Sequence, residues 1–305
     1  MSTKPKYFDA HTHINITAYA DDYKEVVSRA LGAGVGMVNV GTQKDTSLRA
    51  VTLAHEYENQ PVYAAVGLHP VHTSPSFYDE SELDPFSYSC ELENGGEVFD
   101  YEYYKTLAED SKVVAIGECG LDYFHLPEGK EEEAKQKQKE VFLMQIKLSN
   151  EVGKPLMIHC RSGVPKQVSS NRAGEDAYGD TIGILNTYYP IPNTNDSGII
   201  HFFAGTREEA KRFLDLGFSF TFGGAITFPL KRGAPDYAGV VAMLPINRIL
   251  SETDPPGLTP VPYRGKKNEP AYIVEIVKKL ADIKGVPLDE MARVTVENAR
   301  RIFGV

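Results

Sequence analysis

The sequence predicts an α/β fold, a (β/α)8 TIM barrel, formed by one domain over residues 1–305. Eight short apolar runs typical of buried strands recur along the chain, and most gaps between them have helical periodicity. No glycine-rich dinucleotide turn is present, which favours a closed barrel over an open doubly wound sheet. The predicted strands are residues 7–13, 36–40, 62–67, 113–117, 155–160, 198–203, 218–222 and 248–251.

The intervening helices follow from the spacing of apolar residues. Two long polar connections interrupt the alternation, residues 74–100 after the third strand and residues 162–180 after the fifth. Both loops leave carboxyl ends of strands, where such barrels build active sites, so they either wall the site or are solvated insertions. The predicted helices are residues 21–31, 46–58, 131–152, 207–216, 235–244, 269–284 and 288–301.

The composition excludes several classes of protein. A net charge of −10 argues against a protein that holds nucleic acid mainly by a broad basic surface. Cys90, Cys119 and Cys160 have unrelated spacings, which indicates neither a disulfide framework nor a paired-cysteine zinc site. The first residues lack a signal-peptide pattern, and no apolar run has the length of a membrane span. We therefore expect a soluble, cytoplasmic protein without a membrane partner.

The first predicted strand carries His11 and His13, whose side chains point to the same side because they lie two residues apart. Two imidazoles are poor core residues without partners, but they form a ready pair of metal ligands. Asp9 shares their side, where it either supports an imidazole or fills the barrel floor.

Other candidate ligands occur at the ends of later strands, on the same mouth of the barrel. A single one of them is more often an ordinary core residue. Several strands would not each be expected to end in a potential ligand by chance. Four imidazoles and two carboxylates suit two divalent ions, zinc, manganese or magnesium, and predict a two-metal hydrolase. With His11 and His13, the set contains Glu118 ending strand four, His159 ending strand five, His201 near the end of strand six and Asp254 after strand eight.

These motifs resemble those of the TatD-like metal-dependent deoxyribonucleases, a family of amidohydrolase-like barrels. The resemblance spans the whole chain in family order, and its specificity lies in the ensemble, because a bare His-x-His is weak evidence. The matching segments are residues 8–13 (FDAHTH), 67–70 (GLHP), 117–123 (GECGLDY), 158–161 (IHCR), 201–205 (HFFAG), 252–256 (ETDPP), 268–270 (NEP) and 298–301 (NARR).

The resemblance implies a role for each candidate ligand. His11, His13 and Asp254 would hold one ion, His159 and His201 the second, and Glu118 would bridge the two. Asp254 is also the candidate acceptor of a proton from the attacking water. Two residues are candidates for binding the substrate: His69 by family likeness, and Arg161 because its planar fork reaches a phosphate from two positions after His159.

Three functions remain open on the sequence alone. The first is a nuclease that trims DNA from accessible ends, with RNA as a further substrate, acting as a monomer without an obligate protein partner. The second is a hydrolase of a carbonyl ester or amide, such as an aminoacyl-tRNA ester or a lactone. Related amidohydrolases often bridge their ions with a modified lysine of strand four, and residues 115–121 contain none, which favours the nuclease. The third, a non-catalytic barrel, conflicts with an intact set of buried ligands.

Overall fold

The computed structural model describes residues 4–74, 96–163, 176–189, 196–229 and 234–305. Eight strands form one sheet, in which each strand pairs in parallel with the next strand along the chain. This order confirms the predicted (β/α)8 barrel. The strands are β1 (Tyr7–Thr12), β2 (Val35–Val40), β3 (Val62–Val66), β4 (Val113–Asp122), β5 (Leu156–Arg161), β6 (Gly198–Ile200), β7 (Phe218–Phe222) and β8 (Ile249–Ser251).

Helices pack around the strands, and local signals explain where several of them begin or end. Thr206 and Glu209 form a capping box at the start of α6. Gly153 ends α4 with a φ of 67°, a conformation that glycine adopts without steric cost. None of the described helices is long and apolar enough to cross a membrane. The helices are α1 (Tyr23–Gly32), α2 (Lys44–Glu56), α3 (Tyr101–Ala108), α4 (Glu131–Val152), α5 (Ala177–Tyr188), α6 (Arg207–Asp215), α7 (Tyr237–Met243), α8 (Ile273–Lys284) and α9 (Leu288–Phe303).

The predicted long loops after β3 and β5 are each followed by a helix that the sequence analysis did not assign. Helix α3 begins directly after Asp100, whose side chain accepts a hydrogen bond from the Tyr103 N–H. Asp176 caps α5 in the same way, so the predicted second loop is wrong in its last residues and Asp180 is helical. Most of both loops, residues 75–95 and 164–175, and Cys90 with them lie outside the described residues.

The two ends of the sheet meet where β8 lies beside β1. Ser251 Oγ donates to the carbonyl of Phe8 at 3.1 Å. The Thr253 N–H donates to Asp9 Oδ1 at 2.9 Å, and the two side chains also contact each other. These bonds join the first strand to the last, and they therefore place the segment after β8 beside the histidines of β1.

Helix α9 covers the amino-terminal end of the barrel. Phe303 stacks on Phe8, with ring centroids 6.2 Å apart, and Asn298 donates to the carbonyl of Ile249 at 2.8 Å. Apolar side chains from the strands fill the barrel interior above this helix. Since this end is covered and packed, the open mouth lies at the carboxyl ends of the strands.

Candidate metal centre

All six predicted ligands come together at the carboxyl ends of the strands. A cavity of about 410 Å³ opens there, and five of the six line it. His11 lies just beneath, fully buried, with its Nε2 atom 3.0 Å from Nε2 of His13. Two of the predicted positions need correction. Glu118 lies inside β4, which continues to Asp122, and His201 follows β6 directly instead of lying within it.

Glu118 occupies the middle of the cluster, with its two carboxylate oxygens facing different imidazoles. Its Oε2 atom lies 3.3 Å from His11 Nε2 and 3.6 Å from His13 Nε2. Its Oε1 atom lies 2.9 Å from His159 Nδ1 and 3.7 Å from His201 Nε2. One carboxylate between two groups of nitrogen donors is the arrangement of a bridging ligand in a two-metal site.

The hydrogen bonds around two of the imidazoles fix which nitrogen faces the cluster. His13 Nδ1 lies 3.0 Å from the carbonyl of Val40, so it carries the proton and leaves the Nε2 lone pair for the site. His201 Nδ1 lies 2.8 Å from a Glu252 oxygen, so Nδ1 keeps the proton in the neutral ring and Nε2 is the nitrogen that would face a cation. Nitrogen lone pairs that converge beside carboxylates fit a divalent cation well.

Two buried carboxylates support the cluster from behind. Glu252 accepts from His201 and also from the Phe202 N–H at 2.8 Å. Asp122 Oδ2 lies 3.0 Å from His159 Nε2, and Asp122 Oδ1 accepts from the Phe124 N–H at 2.9 Å. Asp122 therefore supports a site histidine and caps the following loop at once.

Burial and charge set the protonation of the inner groups. Burial lowers the pKa of His11 well below its usual value, and the neighbouring His201 adds to this shift. Burial opposes ionisation of Glu118, yet His69, His11 and His201 together hold the pKa of Glu118 well below its usual range. The central carboxylate is therefore ionised at neutral pH.

The pKa values of His159 and His201 shift in the opposite direction to that of His11. Burial favours the neutral form of His159, but hydrogen bonds to Asp122 and Glu118 raise its pKa to about 9. Burial likewise disfavours the charge on His201, whereas Glu252, Glu118 and Asp254 raise its pKa to about 10. The carboxylates thus favour positive charge in this cavity. A divalent cation would supply that charge and displace the protons of the imidazoles.

His69 lies deeper than its prediction as a substrate-binding residue implied. Its ring is buried, and its Nε2 atom lies 3.4 Å from Glu118 Oε1. Its Nδ1 atom accepts from the Val71 N–H at 3.2 Å, so the neutral ring carries its proton on Nε2. His69 is therefore a hydrogen-bond donor facing the cluster, which sequence spacing alone does not reveal.

Arg161 lies exposed at the edge of the cavity, with its guanidinium carbon 3.9 Å from the centre of the Phe124 ring. Other basic residues near the mouth are engaged elsewhere: Arg264 stacks on Phe228, and Lys267 pairs with Asp22 at 2.7 Å. Among the described residues, Arg161 is thus the arginine that lines this cavity beside the predicted ligands.

The chain is similar to known proteins over nearly its whole length. The family model described as "TatD related DNase" matches residues 8–304. A Bacillus subtilis protein named "uncharacterized metal-dependent hydrolase YabD" is 35% identical over 98% of this chain and 99% of its own length. A Pantoea ananatis protein named "3'-5' ssDNA/RNA exonuclease TatD" is 31% identical over 98% and 99% of the two chains.

The fold has a close counterpart among solved structures. The crystal structure of YjjV, a TatD homologue from Escherichia coli, superposes with a TM-score of 0.75 at 26% identity and covers 99% of this chain and 100% of its own. The family match over nearly the whole sequence, the identity to the curated relatives and the shared barrel lead to one conclusion. This chain belongs to the family of TatD-related deoxyribonucleases.

Proposed function

We propose that this chain is a metal-dependent phosphodiesterase that removes nucleotides from the ends of single-stranded DNA, with RNA as a second substrate. The observation that carries the proposal is the position of Glu118, whose two oxygens face different imidazoles. Relatives from Pantoea ananatis and Erwinia amylovora that are named 3'-5' ssDNA/RNA exonucleases support the choice of substrate.

The proposed centre takes two divalent ions within a single barrel of residues 1–305. His11, His13 and Asp254 would hold the first ion, His159 and His201 the second, and Glu118 both. One donor group of the described residues, His11 with His13 and Glu118, supports the first of these sets, because its ligand atoms lie within 4.8 Å of one another. Two further groups combine the donors differently: His69 with Glu118 and His159, and His11 with His201 and Glu252. Bound divalent ions supply a water of lowered pKa and stabilise charge on phosphoryl oxygens.

Asp254 is the proposed proton acceptor. Its Oδ1 atom lies 3.6 Å from His13 Nε2 and its side chain faces the cavity. Burial raises the pKa of this carboxyl, whereas a bound cation would lower it, so the assignment rests on the position of Asp254 at the cavity. A proton taken from water at the centre would therefore pass to Asp254.

Two residues are proposed to bind the substrate phosphate. Arg161 offers a planar fork of N–H donors at the edge of the cavity, where the charge of a phosphate is complementary. His69 offers its Nε2–H from below, beside Glu118 Oε1. The local charge of these groups and of the ions replaces the broad basic surface that the chain lacks.

The decisive experiment is hydrolysis of end-labelled single-stranded DNA with manganese or magnesium and with a chelator. We expect stepwise shortening that the chelator stops and added metal restores. A charged transfer RNA and a panel of lactones tested in parallel address the rival ester hydrolase. Turnover of those esters without any shortening of DNA would overturn the proposal.

The oligomeric state and the compartment remain predictions. We propose that the chain acts as a monomer in the cytoplasm. Size-exclusion chromatography with light scattering measures the first, and fractionation of cells that express the protein measures the second. A stable dimer in the first measurement would contradict a monomer.

A further inference from the structure

A second cavity opens beside the metal centre, and the chemistry proposed above does not use it. Its volume is about 570 Å³, and it shares four wall residues with the first cavity: His159, Arg161, His201 and Asp254. Among the described residues, the remaining large side chains of its wall are aromatic or apolar. They are Phe124, Tyr178, Phe202, Pro235, Tyr237 and Leu258, and we call this space the aromatic cavity.

Unusual backbone conformations are concentrated around the aromatic cavity. Among the described residues, the non-glycine positions with positive φ are Phe202 at 46°, Asp254 at 51° and Leu258 at 53°. All three line this cavity. Such conformations are costly for residues with a side chain, persist only where the surroundings enforce them, and cluster at functional sites.

The conformation of Phe202 has an identifiable cause. Its N–H donates both to Glu252 Oε1 at 2.8 Å and to Thr221 Oγ1 at 3.0 Å. Its ring centroid then lies 5.9 Å from that of His201, so the ring borders the metal centre as well as the aromatic cavity. The carboxylate that orients His201 therefore also fixes an aromatic ring beside it.

Part of the apolar wall is exposed to solvent. Phe124 is 43% exposed and Leu258 is 39% exposed, so a ligand that covered them would remove apolar surface from water. Arg161 lies against the Phe124 ring, so its cationic group stands between the two cavities. A ligand that fits this wall has a flat apolar body joined directly to an anion.

We propose that the aromatic cavity binds the unpaired nucleobase next to the phosphate at the metal centre, with Phe124 and Phe202 as its stacking surfaces. This inference rests on the proposed nuclease function. A base has π faces for the two rings and polar edges for the hydroxyls of Tyr178 and Tyr237, and its phosphate would meet Arg161. Stacking on aromatic rings tolerates every base but requires that the base be unpaired, so the cavity selects single strands over duplexes.

The test uses two short single-stranded DNA probes with phosphorothioate linkages, which slow hydrolysis, labelled with fluorescein at the 5′ end. One probe has all its bases, and the other lacks the bases of the two nucleotides that flank the 3′-terminal linkage. Binding to the metal-loaded protein is measured by fluorescence anisotropy. We expect the wild type to bind the complete probe about ten-fold more tightly than the probe without these bases.

Two variants locate the effect. Phe124→Ala alters an exposed side chain, and Phe202→Leu keeps an apolar residue but removes the ring. In each variant, the ratio of the affinities for the two probes should fall from about ten towards one. The affinity for the probe without bases should change little. Tyr188→Ala, which alters a 56% exposed residue at the end of α5, is the matched control and should keep the full preference.

Two results would overturn the inference: no preference for the complete probe in the wild type, or an unchanged preference in both phenylalanine variants. Failure of the proposed function is distinguishable from this. The wild type would then not shorten ordinary DNA, whatever its binding preference. If the aromatic side chains only packed against the surrounding protein and bound no base, the ratio of the two affinities would be the same in every variant.

Discussion

The backbone N–H of Asp254 donates to the carbonyl of His11 at 3.1 Å. This bond links the segment after the last strand to the first strand, and it places Asp254 Oδ1 3.6 Å from His13 Nε2. The pair of histidines at the start of the sequence therefore becomes a metal site only when the barrel closes. Closure and the proposed chemistry thus depend on the same few contacts.

Replacing Asp254 by Asn tests its role as proton acceptor. Asparagine keeps the size of the side chain and the backbone bond to His11, but it is not a base. We expect kcat on single-stranded DNA to fall about 10²–10⁴-fold, while the circular dichroism spectrum is unchanged. Asp215→Asn, at an exposed position ending α6, is the control and should retain full activity. Retained turnover in Asp254→Asn would refute the assignment.

Replacing Asp9 by Ala tests the junction between β1 and β8. The change leaves the buried Thr253 N–H without its acceptor, which should lower the free energy of unfolding by about 1–3 kcal/mol. Because Thr253 precedes Asp254, activity should fall as well. Ser251→Ala removes a neighbouring bond of the same junction, to Phe8, and should cost about 1 kcal/mol with activity preserved. Urea unfolding and the DNA assay measure both effects, and equal activity of the two variants would contradict the coupling.

A third prediction concerns acid stability away from the site. Burial opposes the charge on Asp110, but hydrogen bonds from the Lys112 N–H and from His55 lower the pKa of Asp110 below its usual value. A carboxyl whose folded pKa is depressed stabilises the protein fully above its unfolded pKa of about 4, and this contribution is lost as the pH falls through the folded value. Asp110→Asn should therefore lower the free energy of unfolding at pH 7, by an amount that shrinks below pH 4. A difference independent of pH would exclude this explanation.

The barrel could be predicted from the sequence because each strand is a short apolar run with a polar residue at or near its carboxyl end. His11, Glu118 and His159 could be found in this way, since strand ends of a parallel barrel share one mouth. The starts of α3 and α5 were missed because their main signals, Asp100 and Asp176, follow long polar loops that mask helical periodicity. No residue pattern predicts the positive φ of Phe202, which depends on hydrogen bonds to distant strands.

The fourth prediction concerns the bridging carboxylate. Glu118→Gln keeps the shape of the side chain but removes the charge that faces both groups of imidazoles. Elemental analysis should find two divalent ions per chain in the wild type and fewer in the variant. The rise in melting temperature on adding metal should shrink in parallel, because a bound ligand stabilises the folded state in proportion to its free energy of binding. Two tightly held ions in Glu118→Gln would exclude a bridging role.

The last prediction separates His69 from the ligands. Its Nδ1 atom accepts from the Val71 N–H, so its Nε2 atom carries a proton and has no lone pair for a cation. His159 differs, because Asp122 accepts from its Nε2–H, and the proton that its Nδ1 shares with Glu118 is the one that a bound cation would displace. His69→Gln should therefore keep the metal content of the wild type and lower kcat/KM for DNA, since a donor to Glu118 or the phosphate is lost. His159→Gln, the matched variant at the neighbouring ring 4.3 Å away, should lose metal as well as activity. An equal loss of metal in both variants would show that His69 is a ligand, with its proton displaced when the ion binds.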